Sequence, residues 1–248
     1  MKNKFLFKNC INNNVAVFIQ FENQNKAYIT KSTFFKDSYD ELKNEYNGFK
    51  WYSKYRDISV SLLKNHKFNH YQLKIEYIKG SKIKYKLGLV NNYERVLSSI
   101  KYYNSIIETE YALTKKYPLH GDFSLDNIIF NKNNISIIDW QHFTLLDSYR
   151  GFDILNLIFE QFYFDYYKSR LFFKRKKMYL KLLALIKYTF SHTMIDNYFF
   201  ASPLMKTRMF INSNKEKIWN NQTHKLPVIK FTNKDVSFID NYINLNIK

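Results

Sequence analysis

Asp122, Asn127 and Asp139 put three oxygen-bearing side chains into one short, otherwise apolar stretch, HGDFSLDNIIFNKNNISIIDW (120–140). Two β-favouring runs, NIIF (127–130) and ISIID (135–139), flank NKNN (131–134), and such runs around an Asn-rich four-residue loop predict a hairpin. If Phe130 pairs near Ile135, Asn127 lies opposite residue 138 or so, and Asn127 and Asp139 meet at the open end. Opposed Cα atoms in such a ladder lie about 4.5–5.5 Å apart. Two side-chain oxygens at that separation can share one Mg²⁺, a hard cation that keeps waters or phosphates for its other positions. Asp122 stands five residues before Asn127, in the turn that enters the first strand. From there it can face the same cavity without joining the ion and can accept a proton from an attacking hydroxyl, help worth about 10²–10⁴ in rate. The plainer alternative is a core hairpin with Asp and Asn capping its ends.

The elements that must position these residues follow from periodicity. VAVFIQFE (15–22) alternates with Val15, Val17, Ile19 and Phe21 on one face, KAYITKS (26–32) is extended, and ENQN between them predicts a turn. KDSYDELKNEYNGFKWYSKY (36–55) carries Tyr39, Leu42, Tyr46 and Phe49 at helical spacing. YQLKIEYIKG (71–80) predicts a strand closed by Gly80. A long helix follows, with Val96, Ile100, Tyr103, Ile107 and Tyr111 as its stripe, Asn91 or Asn92 placed to cap it and Pro118 marking its end. Helices are expected over 151–168, 176–197, a segment opened by Ser202-Pro203, and 233–244. A strand-rich first third thus meets a helical remainder through one hairpin, an α+β arrangement.

The spacing His120-Gly121-Asp122, then Asn127, then Asp139 resembles the protein-kinase pattern of a catalytic-loop Asp, an Asn five residues on and a metal-binding Asp, with Gly in place of Arg. In this form it is similar to the aminoglycoside phosphotransferase and choline kinase family, and HGDFSLDN, DWQHF and GFDIL also resemble members linked to bacterial surface-polysaccharide assembly. The resemblance implies a bilobal protein-kinase-like fold. Residues 1–78 would form a small antiparallel-sheet N-lobe with one helix, and 79–248 a larger, mainly helical C-lobe bearing the catalytic hairpin. It implies ATP and Mg²⁺ as cofactors, Asp122 as catalytic base, Asn127 and Asp139 as metal ligands, and His120 as a structural support of the loop.

The same resemblance extends upstream and downstream. Lys31 would reach the phosphates in a pair with Glu45, Glu41 being the competitor one turn earlier, while Ile29 on the same face would touch the adenine. The backbone of Glu76, Tyr77 and Ile78 would hydrogen-bond the adenine, or the segment is an ordinary strand ending at a glycine. Asp153 would open a helix and brace the catalytic loop, a role compatible with plain N-capping. Two departures stand out: no glycine precedes Gly48, leaving KNCINNN (8–14) to cover the phosphates, and Gln141 occupies a position where relatives commonly carry an acid.

Composition bounds the remaining classes. The chain has 248 residues, 46% of them hydrophobic, enough for a real core. The single cysteine, Cys10, excludes an internal disulfide framework, and no stretch approaches a membrane span or a signal-peptide core, so a cytoplasmic chain is expected. The net charge of +18 invites a nucleic-acid reading, but 33 lysines stand against only 6 arginines, and arginine is the better reader of phosphates and bases. No nucleic-acid partner is expected. The basic run 168–181 reads as a solvated helix end, with a membrane-surface role as the alternative. FEQFYFDYY (159–167) reads as an apolar stripe with solvated acids rather than as a cage for an amine. The expected activity is transfer of the γ-phosphoryl group of ATP to a hydroxyl of a small molecule: a sugar, an amino alcohol or an aminoglycoside-like acceptor. The alternatives are a non-catalytic kinase-like nucleotide-binding module and, from charge alone, a nucleic-acid binder.

Overall fold

The computed structural model describes residues 5–7, 14–21, 26–65, 67, 69–132, 134–168, 172–219 and 229–247. The predicted turn at 22–25 and most of 8–14 lie outside them. Strands β1 (Phe5–Phe7), β2 (Ala16–Phe21), β3 (Ala27–Thr33), β4 (Val60–Asn65) and β5 (His70–Glu76) form an antiparallel sheet in the order β1-β2-β3-β5-β4. In β5 the alternation Tyr71, Leu73, Ile75 is buried, as one half-covered face requires. Helix α1 (Lys36–Tyr52) lies against this sheet through buried Leu42 and Phe49, with the Tyr39 ring 4.4 Å from that of Tyr71. Sequence reasoning missed β4: it is an edge strand, polar at its Lys64-Asn65 end and with Leu63 exposed, so it carries no clean two-residue period.

Strand β5 stops at Glu76, short of the Gly80 predicted to close it. After β6 (Ser81–Lys82), helix α2 runs from Leu89 to Thr114. Its stripe Val96, Ile100, Tyr103 and Ile107 is buried, but its start is not capped by Asn91 or Asn92. Asp165, far along the chain, accepts a hydrogen bond from the Val90 N–H at 2.6 Å, and Asn92 is buried inside the helix, donating to Gln161 Oε1 at 3.1 Å. A tertiary carboxylate thus replaces the local cap, favoured by the orphan N–H groups at a helix start. Pro118 lies past the helix, in β7 (Tyr117–Leu119), which pairs with β10 (Thr144–Leu146).

The hairpin pairs β8 (Ile128–Asn131) with β9 (Asn134–Ile137). It is tighter than the four-residue loop predicted: Asn131 faces Asn134, and Lys132 adopts left-handed φ (51°), the geometry of a two-residue turn. Four further α-helices follow among the described residues, α3 (Phe152–Lys168), α4 (Phe172–His192), α5 (Pro203–Ile218) and α6 (Asn233–Ile247). Among the described residues no helix is long and apolar enough to cross a membrane.

The hairpin is locked to α1. The Ile137 N–H donates to Tyr52 Oη at 3.1 Å, and Asn44 Nδ2 donates to the Gln141 carbonyl at 2.6 Å. Trp140, fully buried, packs against Trp51 and Tyr52 with ring centroids 5.3 and 5.2 Å away. A methyl group at Gly48 would collide with the Cβ of Trp140, so the helix approaches the hairpin only because that position lacks a side chain. Gly48→Ala should therefore destabilise the fold by about 1–3 kcal/mol despite alanine's higher helix propensity. Urea unfolding should show a lower midpoint at unchanged slope; a raised midpoint would mean the helix shifts without cost.

Candidate active site

Lys31 sits opposite Val17 on β2 and Leu73 on β5, near the end of β3. Its Nζ lies 2.7 Å from both carboxylate oxygens of Glu45 and 3.4 Å from Asp139 Oδ1. The Lys31 side chain is 19% exposed, that of Glu45 3% and that of Asp139 27%, so the cluster opens outward on the Asp139 side. Glu45, not Glu41, is the partner. Burial alone would lower the Lys31 pKa, but the carboxylates of Glu45 and Asp139 outweigh it and hold the ammonium protonated, above its usual range. Asp139 follows β9 in left-handed backbone (φ 64°), a conformation Asp and Asn tolerate better than other side chains.

Asn127 ends a single 3₁₀ turn, Leu125–Asn127, and its carbonyl accepts the Ile138 N–H at 2.9 Å, extending the ladder one step to the open end. Its Nδ2 donates to the Asp122 carbonyl at 2.9 Å and to Asp122 Oδ2 at 3.1 Å. Both amide protons are thus turned toward Asp122, which leaves Oδ1 as the atom able to meet a cation. Among the described residues no group of three or more His, Cys, Asp or Glu side chains is placed to hold a metal. The available donors are one carboxylate and one amide oxygen. That set fits Mg²⁺, which takes one or two protein oxygens and completes its shell with water and phosphate, and does not fit zinc.

His120 is fully buried, and burial lowers its pKa to about 4, so its ring is neutral at pH 7. Nδ1 accepts the Asp122 N–H at 3.3 Å, and Nε2 lies 2.9 Å from the Ile138 carbonyl, to which it donates. One ring thereby joins the loop of Asp122 to the strand leading to Asp139. Asp153, also fully buried, accepts from the N–H of His120 at 2.7 Å, the N–H of Gly121 at 3.0 Å and the Tyr103 hydroxyl at 2.6 Å. Burial pushes its carboxyl up to about 6 against these three bonds, which favour the charged form.

A cavity of about 420 Å³ opens beside this cluster, within the range of small-molecule sites. Ile29, Lys31, Glu45, Glu76, Tyr77 and Ile78 all line it. Sequence reasoning missed Ile138 and Ile129, which give it an apolar floor from the hairpin, although Val17 and Ile19 follow from the alternation in β2. Two of the backbone N–H groups of 76–78 already have protein acceptors. The Glu76 N–H donates to the Ser59 carbonyl at 2.8 Å and the Tyr77 N–H to the Ala27 carbonyl at 2.8 Å. Only the Ile78 N–H is left without a protein acceptor among the described residues. Residues 8–13 of the expected phosphate cover lie outside the described residues.

The acids of 159–167 are not solvated, contrary to the sequence expectation. Asp165 binds the start of α2, and Glu160 is only 5% exposed, with Oε2 lacking any hydrogen-bond partner among the described residues. Burial, and then the charges of Asp122 and Asp126, push its carboxyl well above the usual range. The folded state therefore holds this proton more tightly than the unfolded chain, and stability falls as pH rises above the ordinary glutamate value. Glu160→Gln escapes that loss. Its stability relative to the parent should grow as pH rises above about 5, by up to about 1.4 kcal/mol per unit, in melts across a pH series. Parallel curves for the two proteins would contradict the assignment.

No family model matches the chain, and no curated protein matches it. Solved structures do. Amicoumacin kinase hAmiN in complex with AMP-PNP and Ca²⁺ is similar over 97% of this chain and 86% of that one, with a TM-score of 0.50 and 9% identity. A thermostable mutant of aminoglycoside phosphotransferase APH(4)-Ia in its apo form is similar over 98% and 94%, with a TM-score of 0.49 and 8% identity. WaaP in complex with acyl carrier protein is similar over 86% and 88%, with a TM-score of 0.42 and 8% identity. The likeness to the first is one of fold: the chain has a bilobal, kinase-like α+β architecture.

Proposed function

We propose that this chain is an ATP- and Mg²⁺-dependent phosphotransferase that moves the γ-phosphoryl group to a hydroxyl of a small molecule, such as a sugar, an amino alcohol or an aminoglycoside-like compound. The observation that carries this reading is the placement of the Lys31–Glu45 pair 3.4 Å from Asp139 at the edge of an apolar cavity, with Asn127 and Asp122 at the open end of the same hairpin. The solved complex of amicoumacin kinase with a nucleotide analogue and a divalent ion supports the same expectation for a chain of this fold.

In this reading the lobes divide after Ile78, and the adenine lies between Ile29 and Ile138 with the Ile78 N–H as its backbone donor. Lys31, oriented by Glu45, neutralises phosphate charge. Asp139 and Asn127 Oδ1 would hold the ion. When bound, Mg²⁺ screens the triphosphate and lowers the cost of charge developing on the transferred group. Asp122, with its Oδ2 fixed by Asn127 Nδ2, accepts the proton of the acceptor hydroxyl.

The test is phosphate transfer from ATP across a panel of sugars, amino alcohols and aminoglycosides, with and without Mg²⁺. Metal-dependent product formation on one acceptor class supports the reading. The absence of glycine before Gly48 motivates the second reading, a nucleotide-binding module without catalysis. Binding of Mg-ATP with no transfer across the whole panel would favour it.

A further inference from the structure

The part of the basic run from Arg175 to Tyr179 lies beside an aromatic groove. The first turns of α4 and α6 enclose about 490 Å³ of open space lined by Arg175, Lys176, Tyr179, Lys234, Phe238 and Tyr166. Tyr179 holds the two helices together, its ring centroid 4.6 Å from Tyr242 and 6.2 Å from Phe238. The acid at the groove, Asp235, already accepts from the hydroxyls of Tyr166 at 2.9 Å, Tyr167 at 3.0 Å and Thr232 at 2.6 Å, so its charge faces those groups.

Packing does not account for the outward side of these helices. The inward face of α6 buries Val236, Ile239 and Ile243. Its outward face repeats at helical spacing as Lys234, Phe238, Asn241 and Leu245, with Phe238 55% exposed and Leu245 82% exposed. On α4, exposed Lys176 is followed one turn later by exposed Leu180. Cations therefore gather at one end of a two-helix face and large apolar side chains protrude further along it.

We infer that this α4–α6 face is a docking surface for an anionic phospholipid bilayer. The protruding Phe238, Leu245 and Leu180 enter the interfacial region while Arg175, Lys176 and Lys234 meet phosphate headgroups. Charge selects the occupant. A second copy would bring the same cations against themselves, and the chain as a whole carries +18. Nucleic acid has no use for exposed leucines, and arginine, its preferred reader, is scarce in the chain.

The test is co-sedimentation of the full chain with vesicles of phosphatidylcholine alone or with about 30 mol % phosphatidylserine, at low salt. The protein should pellet with the anionic vesicles and not with the neutral ones. Lys176→Gln with Lys234→Gln should lower partitioning roughly 25-fold, about fivefold per lysine. Phe238→Ser with Leu245→Ser should weaken binding as well, while circular dichroism stays native because both side chains are exposed. Failure to pellet with anionic vesicles would overturn the proposal. So would pelleting that the Phe238/Leu245 variant leaves unchanged, which marks bare charge attraction to any polyanion. A dimer in sedimentation velocity, lost in these variants and accompanied by no vesicle binding, would assign the face to self-association instead. An Asp122→Asn protein should pellet like the parent, which separates this surface from the proposed catalysis.

Discussion

Asp122→Ala should lower turnover of the acceptor by two or more orders of magnitude while Mg-ATP affinity stays nearly unchanged. In the proposed reading the Asp122 carboxylate takes the proton of the acceptor, and positioned general-base help is worth about 10²–10⁴. The residues assigned to the nucleotide, Lys31, Glu45 and Asp139, do not depend on it for their mutual contacts. The loss should fall on kcat and kcat/KM alike, the pattern of an interaction made in the transition state. Asn127 loses one acceptor, Asp122 Oδ2, but keeps its bond to the Asp122 carbonyl, so the loop should remain folded. Turnover equal to that of the parent would remove Asp122 from the mechanism.

The largest effect on stability is expected at Asp153. Truncating it to alanine strands the Gly121 N–H and leaves the His120 N–H only its longer bond to Tyr103 Oη, at 3.2 Å, in a fully buried site. An orphaned donor costs about 1–3 kcal/mol and the two weakened bonds add to it, so a loss of roughly 2–4 kcal/mol is expected, a large share of an ordinary domain's stability. Denaturant unfolding measures it directly. Part of the Tyr103 bond survives through the Pro118 carbonyl at 3.3 Å, which limits the loss at that group. A loss below about 1 kcal/mol would mean that water replaces the carboxylate and that the loop is not braced from α3.

The sequence carried the parts of this site whose geometry is local. Strand pairing has a fixed period, so Asn127 and residue 138 could be set opposite each other from the apolar runs alone, and the structure places them so. The helical stripe of α2 was legible for the same reason. The cap of α2 was not, because its acceptor, Asp165, lies 75 residues from Val90. Nor was the state of Glu160. A glutamate among aromatics reads as solvated until the neighbouring helices are in place to bury it. In the 76–78 segment the extended character was visible, but not that Ser59 and Ala27 would take two of its N–H groups. Gly48 was noted only as the first glycine, and its role against Trp140 emerges from packing between α1 and the hairpin.

The central claim is that Asp139 and Asn127 hold a divalent ion carrying a nucleoside triphosphate beside Lys31. Thermal melting of the parent and of Asp139→Asn, with ATP in Mg²⁺ or in EDTA, tests it most directly. Asparagine tolerates the left-handed backbone at 139, so the variant should keep the fold while losing the charge. At about 100 times its dissociation constant the ligand adds roughly 2.7 kcal/mol, a rise of roughly 5–10 °C for a chain of this size. The rise should appear in the parent only with Mg²⁺ and should largely vanish in Asp139→Asn. An equal rise in EDTA, an equal rise in the variant, or none in the parent would contradict it.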